Sequence, residues 1–406
     1  VTVLYTAAHG GFKGQAIPLG GGAVICDRLT AEWRKTRPFD LHPITPSILG
    51  DSAPSAKELI RFNERSYARF CRSFEQRSTE EILRYNPSNT VVLANDVSEG
   101  PDFRRIAQRG FRIFTIYHVD VVAYIAAIYL RGWITPQTTV RWYPRLRFLL
   151  PGIAKLIWEK QAASVQFSQG LIMPSEGMRE VMLRCYPTCP ASKIHLLPWG
   201  TWGSSGGRPD AAALRKEFGV PDEAHVLLTL SRISPEKGQD LLLDALLESE
   251  QSADFPSRPL WLFICGDAAF MQGRRYLEDL KRRAARLTRT QVVFPGYVSG
   301  ERKQAFFALA DLFVFPSRHE SYGLTLLEAL AAGLPAICLD HHGARSVMRE
   351  EFGAIVKPPD LRAGISGLLA DEAGRKRMGE AAQRYAEGQR FADRAAELAT
   401  LLQRIN

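Results

Sequence analysis

An α/β architecture of two doubly wound domains is predicted by three observations: short apolar runs that each lead into a turn and a longer helix-patterned stretch, a length of 406 residues, and a glycine–serine segment near the midpoint. The runs are Thr90–Ala94, Arg112–Tyr117, Gly170–Met173, His225–Leu230, Leu260–Ile264, Leu312–Phe315 and Ala336–Leu339. Such β-then-α alternation marks parallel sheets covered by helices on both faces. At roughly 150 residues per domain the length allows two or three domains. Gly203–Pro209 offers little packing surface and favours flexible backbone, which makes it the expected seam. The pieces are then a Rossmann-like domain over 1–203, a second over 204–385, and a terminal helix in 386–406 whose docking side the sequence does not fix. Two such domains facing a central cleft is the simplest assembly of these parts.

Composition narrows the function. At 46% hydrophobic and 23% charged residues the chain can build a core in each half, which excludes disorder. No repeat of 20 to 50 residues is present, which sets aside solenoids and propellers. The net charge of +9 is uneven: residues 1–200 carry 25 Lys and Arg against 16 Asp and Glu, whereas 201–406 carry 27 of each. A basic first half attracts anions, whether sugar phosphates, nucleic acid or an acidic leaflet. The six cysteines are scattered, and Cys185 and Cys189 lack the spacing or histidines of a zinc site, so they read as buried thiols in a reducing compartment. Val1–Thr6 reads as a strand before a glycine loop rather than a secretory leader, and no run reaches 18 apolar residues. The expected location is the cytoplasm, with membrane association at the inner face as an added expectation.

The phosphate-binding motifs that depend on glycine spacing are missing. Gly20-Gly-Gly22 continues as Ala-Val-Ile, which departs from Gly-x-Gly-x-x-Gly, and no Walker A spacing occurs. There is no Asp-x-Asp to hold a metal diphosphate, so no metal and no separate cofactor is expected. Backbone amides at helix starts, aided by Lys and Arg, remain as the means of holding phosphate. Arg232 and Lys237 follow the carboxyl end of the strand at 225–230, where open α/β sheets bind ligands, and a glycine follows them. In Phe315-Pro-Ser-Arg-His-Glu-Ser-Tyr-Gly-Leu-Thr-Leu-Leu-Glu328, a polar loop carries Glu320 and a helix opens near Gly323. Glu320 and Glu328 lie about 12 Å apart along a continuous helix, too far to share a proton but suited to the two ends of one elongated ligand. The amides near Ser321, Tyr322, Gly323 and Leu324 fall between them, where a diphosphate is stabilised.

Glu320-x7-Glu328, preceded by Arg232-x4-Lys237 and by Val292-Val-Phe-Pro-Gly296-Tyr-Val298, resembles the donor-binding half of family-4 retaining glycosyltransferases of the GT-B fold, over about 205–385. The resemblance implies that Arg232 and Lys237 neutralise a nucleotide diphosphate, Glu320 contacts the donor hexose and Glu328 binds ribose hydroxyls. Gly266, Tyr297 and Val298 would frame the base. In the first half, Gly21 and Gly22 before a helix-patterned stretch are similar to the glycine loop that approaches the donor phosphate, and His118 matches the family's cleft histidine in position. Pro198-Trp-Gly-Thr-Trp202 departs from the family's Pro-Asn-Gly-Val-Asp, and the run 133–161 has no family pattern.

By this resemblance the reaction is hexosyl transfer with retention, from a nucleotide sugar to a saccharide or lipid-linked hydroxyl in polysaccharide biosynthesis. UDP-glucose is the first donor expected, followed by UDP-N-acetylglucosamine and GDP-mannose. Arginines interleaved with aromatics in 141–158 suit an anionic leaflet, although Pro144 and Pro151 are expected to break the helix there. The other readings are a GT-B phosphorylase or epimerase and a non-catalytic protein that binds anionic surfaces. No RNA-binding signature supports a nucleic-acid partner.

Overall fold

The computed structural model describes residues 1–12, 20–120, 135–149, 152–202, 210–253, 255–268 and 273–404. The chain divides into two compact units, one of Val1–Pro198 with Ala392–Asn406 and one of Trp199–Phe391. The glycine–serine seam at 203–209 lies outside the described residues.

Unit 1 is a six-stranded parallel sheet of β1 (Thr2–Thr6), β2 (Asp40–Ile44), β3 (Thr90–Ala94), β4 (Arg112–Ile116), β5 (Gly170–Met173) and β6 (Ile194–Leu196), in the order β2-β1-β3-β4-β5-β6. Every residue of β3 is buried, as a central strand with helices on both faces requires. The order reverses between β1 and β3, so their carboxyl ends diverge into a crevice, the position where open α/β sheets take ligands. The terminal helix Phe391–Gln403 completes this unit. Its Ala395, Leu398 and Leu402 are buried, and the Trp33 indole N–H donates to the Ala395 carbonyl at 2.9 Å. In the basic segment Pro144 sits inside the helix Pro136–Leu146 rather than ending it, which corrects the expected break. It falls in the last turn, where only one ladder bond is lost. Pro151 lies outside the described residues.

Unit 2 repeats the architecture with β7 (His225–Leu230), β8 (Leu260–Cys265), β9 (Thr290–Gly296), β10 (Leu312–Phe315), β11 (Ala336–Leu339) and β12 (Gly353–Val356), all parallel, in the order β12-β11-β10-β7-β8-β9. The reversal here lies between β7 and β10, so the loops that follow those two strands flank the crevice.

Candidate active site

The loops after β7 and β10 are stitched together through backbone. Gly238 takes a left-handed conformation (φ +64°), and a Cβ there would stand 2.0 Å from the Pro316 carbonyl oxygen, so only glycine allows the approach. The Arg318 amide donates to Glu236 O at 2.8 Å, and its guanidinium holds both oxygens of Asp240 at 2.7 Å. This fork-to-carboxylate clamp fixes the two loops in register. Glu236 is buried, accepts from the Ser234 hydroxyl at 2.6 Å and lies 3.6 Å from the Arg232 guanidinium.

On that frame the structure joins two residues 83 positions apart in sequence: Lys237 forms an ion pair with Glu320. The Ser317 hydroxyl also donates to Glu320 at 3.3 Å. Burial pushes the Glu320 carboxyl up, but the Lys237 charge and hydrogen bond, with His341 and Arg232 behind them, outweigh it and hold the group below its usual range. Glu320 is therefore a carboxylate at neutral pH. The turn after β11 packs against it, since a Cβ on Gly343 would meet the Glu320 carbonyl oxygen at 2.6 Å. His341 in that turn is pushed down to about 4 by burial and is neutral at pH 7. Its Nδ1 accepts from the Ala344 amide at 3.0 Å, which leaves the proton on Nε2.

Three residues past Glu320, Gly323 (φ +89°) opens the helix Leu324–Ala331 with no side-chain cap. The first amides of an uncapped helix lack internal partners and carry the positive end of its dipole, which suits an anion. Glu328 lies within this helix, paired with Lys303 at 2.6 Å and with its side chain 11% exposed. Lys303 belongs to the helix Gly300–Leu309 and was not singled out by the sequence pattern; nor were Ser317, His341 and Gly343. Only the glycine after Asp340-His-His342 carried a readable signal, as a backbone position after a strand.

The remaining residues expected in unit 2 separate by burial. Tyr322 is buried and its hydroxyl donates to the Trp199 carbonyl at 2.7 Å, while Ser321 is buried beside it. Both would reach a ligand through backbone. Val298 is buried, whereas Tyr297 is 37% exposed and presents its ring. Gly266 (φ +146°) lets β8 pass against the Ser231 carbonyl.

In unit 1, Gly21 and Gly22 form the first turn of the helix Gly21–Thr36, which also lacks a side-chain cap. A Cβ on Gly22 would stand 2.9 Å from the His118 ring, so Gly22 also makes room for that imidazole. The Asn95 amide nitrogen donates to Gly22 O and Asp96, leaving its Oδ1 to accept, and His118 Nε2 lies 3.0 Å from that oxygen. His118 is thus protonated on Nε2. Burial pushes it down to about 4 although Asp96 pulls the other way, so it is neutral at pH 7. A Gly22→Val substitution is expected to displace His118 and lower turnover at least tenfold, checked by steady-state rates on protein shown to be folded by circular dichroism.

Residues 210–385 match the family described as glycosyl transferases group 1. The chain is 34% identical over 226 residues to a GDP-mannose-dependent alpha-(1-6)-phosphatidylinositol monomannoside mannosyltransferase of Mycolicibacterium smegmatis, covering 52% of this chain and 56% of that one. It therefore spans about half the length of this curated relative. Among solved structures, sucrose-phosphate synthase from Thermosynechococcus elongatus superposes with a TM-score of 0.72 at 19% identity, over 100% of this chain and 98% of that one. Anabaena HepE, crystallised with UDP and glucose, gives a TM-score of 0.68 at 17% identity over 99% of each chain.

Proposed function

Because the chain belongs to the glycosyl transferases group 1 family and has the GT-B fold, we propose that it moves a hexose from a nucleotide-diphosphate sugar to a hydroxyl of a saccharide or lipid-linked acceptor, with retention and without a metal. The observation that supports this most is the Lys237–Glu320 pair beside the uncapped start of Leu324–Ala331, at the strand-order reversal of unit 2. Bond cleavage places growing negative charge on the departing diphosphate and positive charge on the sugar. An ammonium with three donors can serve a phosphate and Glu320 together, while Arg232 and the helix amides take the other phosphate oxygens. Glu320 stays ionised and faces the sugar. Glu328 accepts from the ribose hydroxyls, its position set by Lys303. His118, neutral at pH 7, helps to orient the sugar and contributes no formal charge. The acceptor hydroxyl attacks from the face the leaving group vacates, and its proton passes to the diphosphate oxygen.

UDP-glucose is the first donor to test, with GDP-mannose beside it because the Mycolicibacterium relative bears that name. The test is nucleotide release with and without an added acceptor, with proton NMR of the product anomer. Release that depends on acceptor, gives a retained anomer and persists in EDTA supports the reading. Release driven by inorganic phosphate would mark a phosphorylase, and sugar inversion without an acceptor an epimerase.

We also propose peripheral contact with an anionic leaflet through 136–149. Arg141, Arg145 and Arg147 are exposed together with Trp142 (47%) and Phe148 (71%), an apolar and cationic surface of the kind that lies in a headgroup layer. No helix among the described residues is long and apolar enough to cross a membrane. At about 1 kcal/mol per arginine, reversing the three charges should weaken binding to phosphatidylserine vesicles by at least a hundredfold. Co-sedimentation that is equal with neutral vesicles would exclude the idea.

A further inference from the structure

One buried imidazole beside Glu320 is not used by the chemistry above. His341 follows β11, and its side chain caps the short helix His342–Val347, with Nδ1 accepting from the Ala344 amide at 3.0 Å. That bond fixes the tautomer and leaves the proton on Nε2. The residue is only 8% exposed, and Nε2 is buried with no hydrogen-bond partner among the described residues. A buried N–H that lacks an acceptor carries its full desolvation cost, so a ligand atom that supplies the acceptor gains affinity.

The surroundings of His341 say which acceptor fits. Phe315, the last residue of β10, lies on one side with its ring 5.7 Å from the imidazole, and the same ring would meet a Cβ on Gly323 at 3.4 Å. His341 thus shares a floor with the uncapped start of Leu324–Ala331. The backbone of Glu320 packs on the same turn through Gly343, and among charged groups Glu320 acts on His341 most strongly. Both side chains that donate to Glu320, Lys237 and Ser317, meet its Oε1. Oε2 keeps its lone pairs for a group that enters the crevice. The loops after β10 and β11 therefore present a carboxylate oxygen that can take a donor and an N–H that needs an acceptor. A hydroxyl serves both, since its hydrogen donates while its oxygen accepts. A phosphate oxygen accepts but has nothing to give the carboxylate.

We propose that His341 Nε2–H donates to the same hydroxyl of the donor hexose that Glu320 accepts from, so that the turn after β11 selects donor sugars with a free hydroxyl at that carbon. This deepens the transferase reading and rests on it. His341→Asn isolates the contact: asparagine is a good helix cap and can keep the bond to the Ala344 amide, but its side chain ends short of the Nε2 position. His341→Gln reaches that position with an amide N–H and is the rescue. Calorimetry on the full chain would measure UDP, GDP, UDP-glucose, UDP-N-acetylglucosamine and GDP-mannose, then the deoxy forms, one for each hexose hydroxyl, of the nucleotide sugar that binds best. Removing the shared hydroxyl should weaken binding to the wild-type chain by about tenfold or more. His341→Asn should weaken the parent donor by about tenfold, add nothing to the loss for that one deoxy form and leave the free nucleotide unchanged. His341→Gln should restore part of the affinity, and circular dichroism shows that each variant is folded. Equal weakening of nucleotide and nucleotide sugar would put His341 on the diphosphate and overturn the proposal. So would an unchanged donor affinity in folded His341→Asn, which would leave the imidazole a cap alone, or a His341→Asn loss undiminished across every deoxy form. A wild-type chain that binds all deoxy forms as well as the parent overturns it without any variant. Binding of neither nucleotide nor nucleotide sugar removes the transferase reading itself, whereas the other adverse results remove only the role of His341.

Discussion

Lys237→Ala is expected to reduce turnover by 10²- to 10³-fold, about 2.7–4 kcal/mol of lost stabilisation of the departing diphosphate. The same change removes the partner of Glu320, whose side chain is only 17% exposed, and breaking such a pair costs about 3 kcal/mol of stability. One variant therefore mixes two effects. The double variant Lys237→Ala/Glu320→Gln separates them: a neutral amide needs no counter-ion, so the melting temperature should return most of the way while turnover stays low. Nucleotide release and calorimetry on the same preparations check both. If the double variant recovers turnover, Lys237 acts by holding the fold and the electrostatic role is wrong. A pH series adds the sign. Because the folded Glu320 titrates below its ordinary 4.5, the unfolded chain binds more protons in this range. Its contribution to stability is present above about pH 4.5 and fades as pH falls through the lower folded value. Glu320→Gln should flatten that acid limb.

How far the sequence carried the reading follows from where each residue sits. Interior strands such as β7 and β10 are buried throughout and mostly apolar, and stand out as runs. The strands that escape are β2, β6, β9 and β12, each with a single strand neighbour at a sheet edge. β2 reads Asp-Leu-His-Pro-Ile, and its proline is tolerable because an edge strand need not donate on its open side. The same logic applies to the site. Arg232, Lys237, Glu320 and Glu328 were legible because their spacing from strand ends and glycines is local. The Lys237–Glu320 pair, the Lys303–Glu328 pair and the approach of Gly343 depend on which loops the topology brings together, which no local pattern encodes.

Gly266→Ala should be among the most damaging changes of a single methyl group in unit 2. The added Cβ would stand 1.8 Å from the Ser231 carbonyl oxygen, and φ is +146°, a region that side chains avoid. Relief by a shift of Ser231 is blocked on both sides: its amide donates to Cys265 O at 3.1 Å, and Ile233 donates to Asp267 O at 2.9 Å, so β7 and β8 are held together across the glycine. Backbone strain of 1–3 kcal/mol plus the clash gives a loss of about 3 kcal/mol or more. For a unit of this size that lowers the melting temperature by roughly 10 °C. Gly219→Ala is the control. It too has a positive φ (+69°) but meets nothing within 4 Å, so it should cost only about 1 kcal/mol, a few degrees. The chain at Ser231 leads directly into Arg232, whose Cα is 3.7 Å from the added carbon. Any Gly266→Ala protein that remains folded should therefore also bind nucleotide diphosphate more weakly, while Gly219→Ala should bind it normally. Equal melting temperatures for the two variants would show that β7 and β8 can slide at this point and that the crevice is softer than its hydrogen bonds imply.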